Sequence, residues 1–156
     1  MKNKAGDGID AATSKWTFDD KKVVQVFDQH VSKSVPFYAD ANKQVLTILP
    51  FFFTEPITKI VDFGCSTGTL LNTINSTFTD RNLSLYGFDI SKQMIEHAQQ
   101  NNDNSVSFTT DDLLFSEISD VDVYFSMYTL QFIHPKVRLQ YLEKICKYHY
   151  LFQSFS

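Results

Sequence analysis

Asp62, Gly64, Cys65, Ser66 and Gly68 fall within one stretch, Lys59-Ile-Val-Asp-Phe-Gly-Cys-Ser-Thr-Gly-Thr-Leu-Leu71, and Asp89 closes a second apolar run downstream. An acid beside a small-residue turn can bind a polar ligand through its carboxylate and through backbone groups brought close by the glycines. Ile60, Val61 and Phe63 favour a strand, whereas Leu70, Leu71, Ile74 and Phe78 recur at helical spacing. The stretch therefore reads as strand, tight loop and helix. Such a loop is expected to turn amide N–H groups toward a ligand above the carboxyl end of the strand, next to a helix N-terminus that favours negative charge. It has the makings of a nucleotide site.

Three chemistries fit the loop. A dinucleotide fingerprint asks for glycines where this chain has Ser66 and Thr69. Gly64-Cys-Ser-Thr-Gly68 matches the G-x-S-x-G nucleophile elbow of hydrolases letter for letter. The third reading takes Asp62 as the acid that opens the glycine loop of S-adenosylmethionine-binding methyltransferases. Leu83-Ser-Leu-Tyr-Gly-Phe-Asp89 supplies a second strand with an acid at its tip, able to accept from both hydroxyls of a ribose. A hydrolase elbow would follow several strands, and only one convincing strand precedes Ser66. The nucleotide reading is preferred.

Other elements must hold these residues in place. A chain of 156 residues with 43% hydrophobic content suits one domain with a buried core. Its fifteen Phe and seven Tyr are read as core and sheet packing. A net charge of −4 argues against a broad basic footprint, so direct nucleic-acid binding is disfavoured and a small-molecule substrate fits better. Cys65 and Cys146 are too few and too far apart for a disulfide framework or a zinc site, which suggests a reducing, cytoplasmic compartment. The histidines show no ligand spacing, and no metal is expected. The apolar run at 45–53 is broken by Thr47 and Pro50, too short for a membrane span, and reads as a buried helix end.

In chain order, residues 1–15 read as a disordered tail and 16–147 as one domain. A first helix starts near Thr17 or Asp19 and carries Val23, Val24, Val26 and Phe27. Residues 27–38 read as a loop, because Pro36 disfavours helix at Val35. A helix through Val45, Leu46 and Leu49 follows. Further strands are expected at 105–108 and 121–126, the latter central, apolar on both faces and beside the first strand. Asp111 and Asp112 follow the third strand, as ligand acceptors or as caps ahead of Leu113. His134-Pro135 opens a last helix with Val137, Tyr141, Leu142 and Ile145 as its buried stripe.

Trp16-Thr-Phe, Phe27-Asp-Gln-His-Val, Ser34-Val-Pro-Phe-Tyr38, Asp62-Phe-Gly-Cys-Ser-Thr-Gly68, Phe88-Asp-Ile-Ser-Lys-Gln-Met-Ile95 and Thr129-Leu-Gln-Phe132 together resemble class I S-adenosylmethionine-dependent methyltransferases. Within these, the chain looks most like the carboxy-S-adenosylmethionine synthases, whose homologues are often named tRNA uridine methyltransferases. The resemblance covers residues 16–144. It implies an α/β Rossmann-like fold: three αβα layers around a mainly parallel sheet. It implies S-adenosylmethionine as cofactor, with Tyr38 against its amino-acid and sulfonium end. Asp62, Gly64, Cys65, Ser66 and Gly68 would form the loop at the methionine part, Asp89 would take the ribose, Ile90 the adenine face, and Asp111 and Asp112 the adenine amino group. It implies a group transfer in which S-adenosylmethionine and prephenate give carboxy-S-adenosylmethionine for tRNA wobble-uridine modification. A methyltransferase acting on a small molecule or tRNA, and a non-catalytic cofactor-binding remnant, are the alternatives.

Two departures from that pattern stand out. Met127 occupies a position where the synthases carry Asn, and the chain shows no Leu-x-Pro-Gly-Gly turn leading to further strands. The sheet is thus expected to lack its C-terminal strands, with 148–156 as an atypical tail or an improvised strand and the chain as a truncated form. An uncovered fourth strand would invite pairing with a second copy, hence a homodimer.

Overall fold

The computed structural model describes residues 21–150, so the expected tail at 1–15 and the expected helix start at 16–20 lie outside the described residues. Helix α1 spans Lys21–Ser34, α2 Tyr38–Ile48, α3 Thr69–Thr77, α4 Lys92–Gln100 and α5 Pro135–Tyr150. Strands β1 (Thr58–Phe63), β2 (Leu83–Asp89), β3 (Val106–Thr110) and β4 (Val123–Phe125) form one sheet in the order β3-β2-β1-β4. Every pairing is parallel, with Ile60 opposite Leu85 on one side and Val123 on the other.

Alternation along β1 divides the core. Ile60 joins Leu85, Val106 and Phe108 under Val45 and Leu49 of the α2 end, Leu70, Leu71 and Ile74 of α3, and Ile95 and Ala98 of α4. Val61 and Phe63 face the other way, toward Leu113 and the half-buried Tyr141 and Ile145 of α5. Successive strand residues point to opposite faces, so this split makes three layers, helices on both sides of a parallel sheet. The expected αβα architecture is present. β1 runs almost wholly buried, which is why its sequence is nearly continuous in apolar residues.

Several local expectations differ. Residues 27–34 are helical, because Pro36 constrains Val35 and not the residues before it; the break is confined to 35–37, where Phe37 adopts φ 61°. The run at 45–53 buries Val45 and Leu49 but leaves Phe51 and Phe52 exposed in a short 3₁₀ turn, Leu49–Phe52. β4 is shorter than expected and only half-buried. Its N-terminal side is held by Asp122, whose Oδ2 accepts from Lys59 N at 2.7 Å, a side chain taking the place of a ladder bond. Leu142 of the expected α5 stripe is exposed. The backbone at 148–150 is helical, not a fifth strand, and 151–156 lie outside the described residues.

Candidate functional site

A cavity of about 440 Å³ opens above the carboxyl ends of β1, β2 and β4. The strand order reverses between β1 and β4, the switch point where loops diverge and leave a crevice. Its size falls within the range typical of small-ligand sites. Tyr38, Asp62, Gly64, Cys65, Ser66, Asp89, Ile90 and Asp111 all line it. Gly68 and Asp112 lie outside that lining. Gly68 instead precedes α3 at φ 75°, and a β-carbon there would collide with the Phe108 ring.

The glycine loop differs from its sequence reading in where its amides go. Gly64 N and Cys65 N both donate to Phe88 O, Ser66 N donates to Asp89 Oδ2, and Gly68 N donates to Cys65 O. These amides fasten the loop to β2 and to itself, so they are not offered to a ligand. A β-carbon at Gly64, where φ is 75°, would collide with the Thr129 side chain, so the close approach that excludes one is made by the protein's own chain.

Asp89 is fixed at both oxygens: Oδ2 accepts from Ser66 N at 3.0 Å and Oδ1 from Ser91 N at 2.9 Å. A carboxylate has about four acceptor sites, and this anchoring aims the group at the cavity's edge. Beside it Ile90 is 75% exposed, an apolar face at the cavity rim. Asp62 is only 4% exposed, and its Oδ1 has no hydrogen-bond partner. Burial, reinforced by the nearby Asp89 charge, pushes its carboxyl up to about 7. Burial likewise pushes the Tyr38 phenol up, against the opposing hydrogen bond with Asn42, so Tyr38 stays a neutral phenol.

The two acids after β3 part company. Asp111 lines the cavity, yet its oxygens accept from Asp112 N and Ser116 Oγ, both at 2.8 Å. Asp112 caps the turn through Leu114 N and accepts from Tyr141 of α5, whose phenol is pushed up by burial and by that acid. The capping alternative therefore describes Asp112 best.

Sequence reasoning missed several residues at this site. Thr129 Oγ1 donates to Phe63 O at 3.0 Å, and Tyr128 packs on Tyr38 with ring centroids 5.5 Å apart. Asp28 of α1 accepts from Thr67 Oγ1 at 2.6 Å and from Thr69 Oγ1 at 3.0 Å, tying α1 to the glycine loop. The Phe27-Asp-Gln-His-Val motif held the signal, but read as a loop it had no visible target. Asp28→Ala should lower stability by about 2 kcal/mol, since two hydroxyls lose a charged acceptor in a partly exposed setting. Hydrogen exchange should show residues 21–34 opening well before β1; uniform protection would contradict the latch.

Ser66 adopts φ 53°, and its Oγ donates to Met94 Sδ at 3.5 Å rather than to an imidazole. A serine nucleophile needs a base in hydrogen-bond reach. Ser66→Ala is therefore expected to leave any group transfer largely intact, with no labelling of the wild type by a fluorophosphonate probe. Stoichiometric labelling at Ser66 would revive the elbow.

Comparison with known proteins agrees with this architecture. Residues 60–149 match the family described as "Methyltransferase domain", and the chain belongs to that family. It is 38% identical over 134 residues to a carboxy-S-adenosyl-L-methionine synthase of Campylobacter curvus, covering 84% of this chain and 56% of that protein. A Staphylococcus epidermidis protein of the same name is 32% identical over 132 residues, covering 84% and 57%. The chain spans about half the length of the curated relatives it matches. Among solved structures, the plantazolicin methyltransferase in complex with SAH aligns with TM-score 0.64 at 20% identity, covering 84% of this chain and 50% of that one. Magnesium protoporphyrin IX methyltransferase from Synechocystis with bound SAM aligns with TM-score 0.61 at 21% identity, covering 80% and 58%.

Proposed function

We propose that this chain binds S-adenosyl-L-methionine in the cavity above β1, β2 and β4 and belongs to a group-transfer enzyme of the carboxy-S-adenosylmethionine synthase type. The observation that carries the reading is Asp89, a carboxylate aimed by two backbone amides at the cavity's edge beside the exposed face of Ile90. In this reading Asp89 accepts the ribose hydroxyls and Ile90 covers the adenine. Asp62 and the loop of Gly64, Cys65 and Ser66 face the amino-acid portion, where a buried acid suits an ammonium group rather than a phosphate. Tyr38 borders the sulfonium end. Gly68 shapes the start of α3, and Asp111 and Asp112 order the turn that closes the adenine side. When bound, the cofactor supplies an activated one-carbon group on sulfur; the protein's part is to hold it and align an acceptor. The relatives are named carboxy-S-adenosyl-L-methionine synthases; prephenate as carboxylate donor and a place in tRNA modification are what the sequence resemblance adds to this reading, and the cytoplasm what the cysteine usage adds. No described helix is long and apolar enough to cross a membrane.

One observation favours a second reading. No lysine or arginine lines the cavity among the described residues, so a dianion such as prephenate has no cationic partner there. In this second reading the described part is a cofactor-binding half or a methyltransferase for an uncharged acceptor. Among the described residues β4 pairs only with β1, and Leu139 and Leu142 of α5 are exposed, which suits pairing with a second copy. Thermal unfolding with S-adenosylmethionine tests the reading: at 100 times its dissociation constant the ligand should stabilise by about 2.7 kcal/mol. No shift at millimolar ligand would end it. Product from S-adenosylmethionine plus prephenate would favour the synthase over the second reading.

A further inference from the structure

The charge inventory of the cavity says more than its shape. Its lining carboxylates are Asp62, Asp89 and Asp111, and no lysine or arginine faces them among the described residues; His30 and His134 are the imidazoles on the wall. A cluster of acids alone would be a solvated edge. Here Asp62 is buried with Oδ1 unpartnered, so the ammonium group that either ligand brings would relieve a group that solvent does not reach, and the sulfonium is left to the rest of the wall.

A second part of the wall is aromatic. The rings of Tyr38 and Tyr128 touch at a tilt of 39° and both line the cavity. Tyr128 is held at φ 58°, a conformation that residues with a β-carbon seldom adopt. Thr129 Oγ1, 3.0 Å from Phe63 O and 3.2 Å from Met127 O, secures the turn next to it. Strain kept at a cavity wall places the ring where a relaxed backbone would not. Aromatic faces attract cations and give a neutral thioether no such electrostatic attraction.

Resting on the cofactor reading above, we infer that this is a sulfonium-selective site: Tyr128, with Tyr38, makes the chain bind S-adenosylmethionine more tightly than S-adenosylhomocysteine. The two ligands share nucleoside and amino-acid portions and differ by one methyl group and one positive charge. The charge preference follows from a wall whose described residues hold acids and aromatic faces without a lysine or arginine. A ligand with an added carboxylate on the methyl carbon would lose part of that preference.

Calorimetry on the full chain at pH 8 tests this with S-adenosylmethionine, S-adenosylhomocysteine and adenosine. The wild type should prefer the sulfonium about tenfold, which corresponds to about 1.4 kcal/mol. Tyr128→Phe should keep that ratio, and Tyr128→Leu should bring it to within about threefold while adenosine affinity is unchanged. Equal or tighter binding of S-adenosylhomocysteine by the wild type would overturn the inference, as would a folded Tyr128→Leu that keeps the full ratio. Near-UV circular dichroism identifies a Leu variant that fails to fold, and the wild-type ratio then decides alone. If none of the three ligands binds, the cofactor reading itself fails, an outcome distinct from equal binding of S-adenosylmethionine and S-adenosylhomocysteine.

Discussion

Asp62→Asn is expected to remove a pH dependence of stability worth about 4 kcal/mol. The Asp62 carboxyl sits about three pH units above its ordinary 3.8, and each unit corresponds to about 1.36 kcal/mol. Below pH 4 both folded and unfolded chains hold the proton, and the group imposes no penalty. Between pH 4 and 7 the unfolded chain has released its proton while the folded chain still keeps it. The folded state then binds more protons, so stability falls as pH rises, and the loss is complete above 7. Urea unfolding at half-unit steps from pH 4 to 8 should show a falling wild-type curve, with Asp62→Asn lacking most of that decline. Other carboxylates titrate in both proteins, so the difference between the two curves isolates Asp62. Parallel curves would mean that the group is hydrated or partnered in solution.

The same residue shows what was legible in the sequence and what was not. Asp62 could be picked out because it stands at the end of an apolar run before two glycines, and strand β1 formed where the residues favour it. That β4 lies beside β1 in a parallel sheet was likewise readable from the apolar run at 121–126. Its burial and lack of a partner were not readable, because they depend on how β2, β4 and α1 close around the strand end. The amides of the glycine loop were misread for a related reason. A turn of this composition can present N–H groups outward or fold them onto the neighbouring strand, and Phe88 O and Asp89 decide the matter from 23 or more residues away. Tyr128 escaped notice because a positive φ at a tyrosine has no local sequence signature. α1 was read as ending early because the effect of Pro36 was spread over residues it does not touch. For Asp62 and the loop amides the deciding contact is distant in sequence.

Asp89→Ala is expected to weaken nucleoside binding at least a hundredfold, about 3 kcal/mol, whereas Asp111→Ala should cost less than tenfold. Under the proposed reading Asp89 accepts two ribose hydroxyls, and hydrogen bonds to a charged acceptor contribute roughly 1.5–3 kcal/mol each. Its oxygens already receive Ser66 N and Ser91 N, which fix the direction of the carboxylate before ligand arrives, so little ordering remains to be done on binding. Asp111 spends its oxygens on Asp112 N and Ser116 Oγ, and its loss should appear mainly as lower stability of the turn before Leu113. Removing Asp89 also releases the glycine loop, so affinity alone would confuse a ribose contact with a loosened site. Comparing adenosine with 2′,3′-dideoxyadenosine separates the two effects. The wild type should strongly prefer the hydroxylated ligand and Asp89→Ala should not, whereas a purely structural role would weaken both ligands equally and keep the preference. Equal losses in Asp89→Ala and Asp111→Ala, or a preference that survives Asp89→Ala, would sink the ribose assignment and move the nucleoside elsewhere in the cavity.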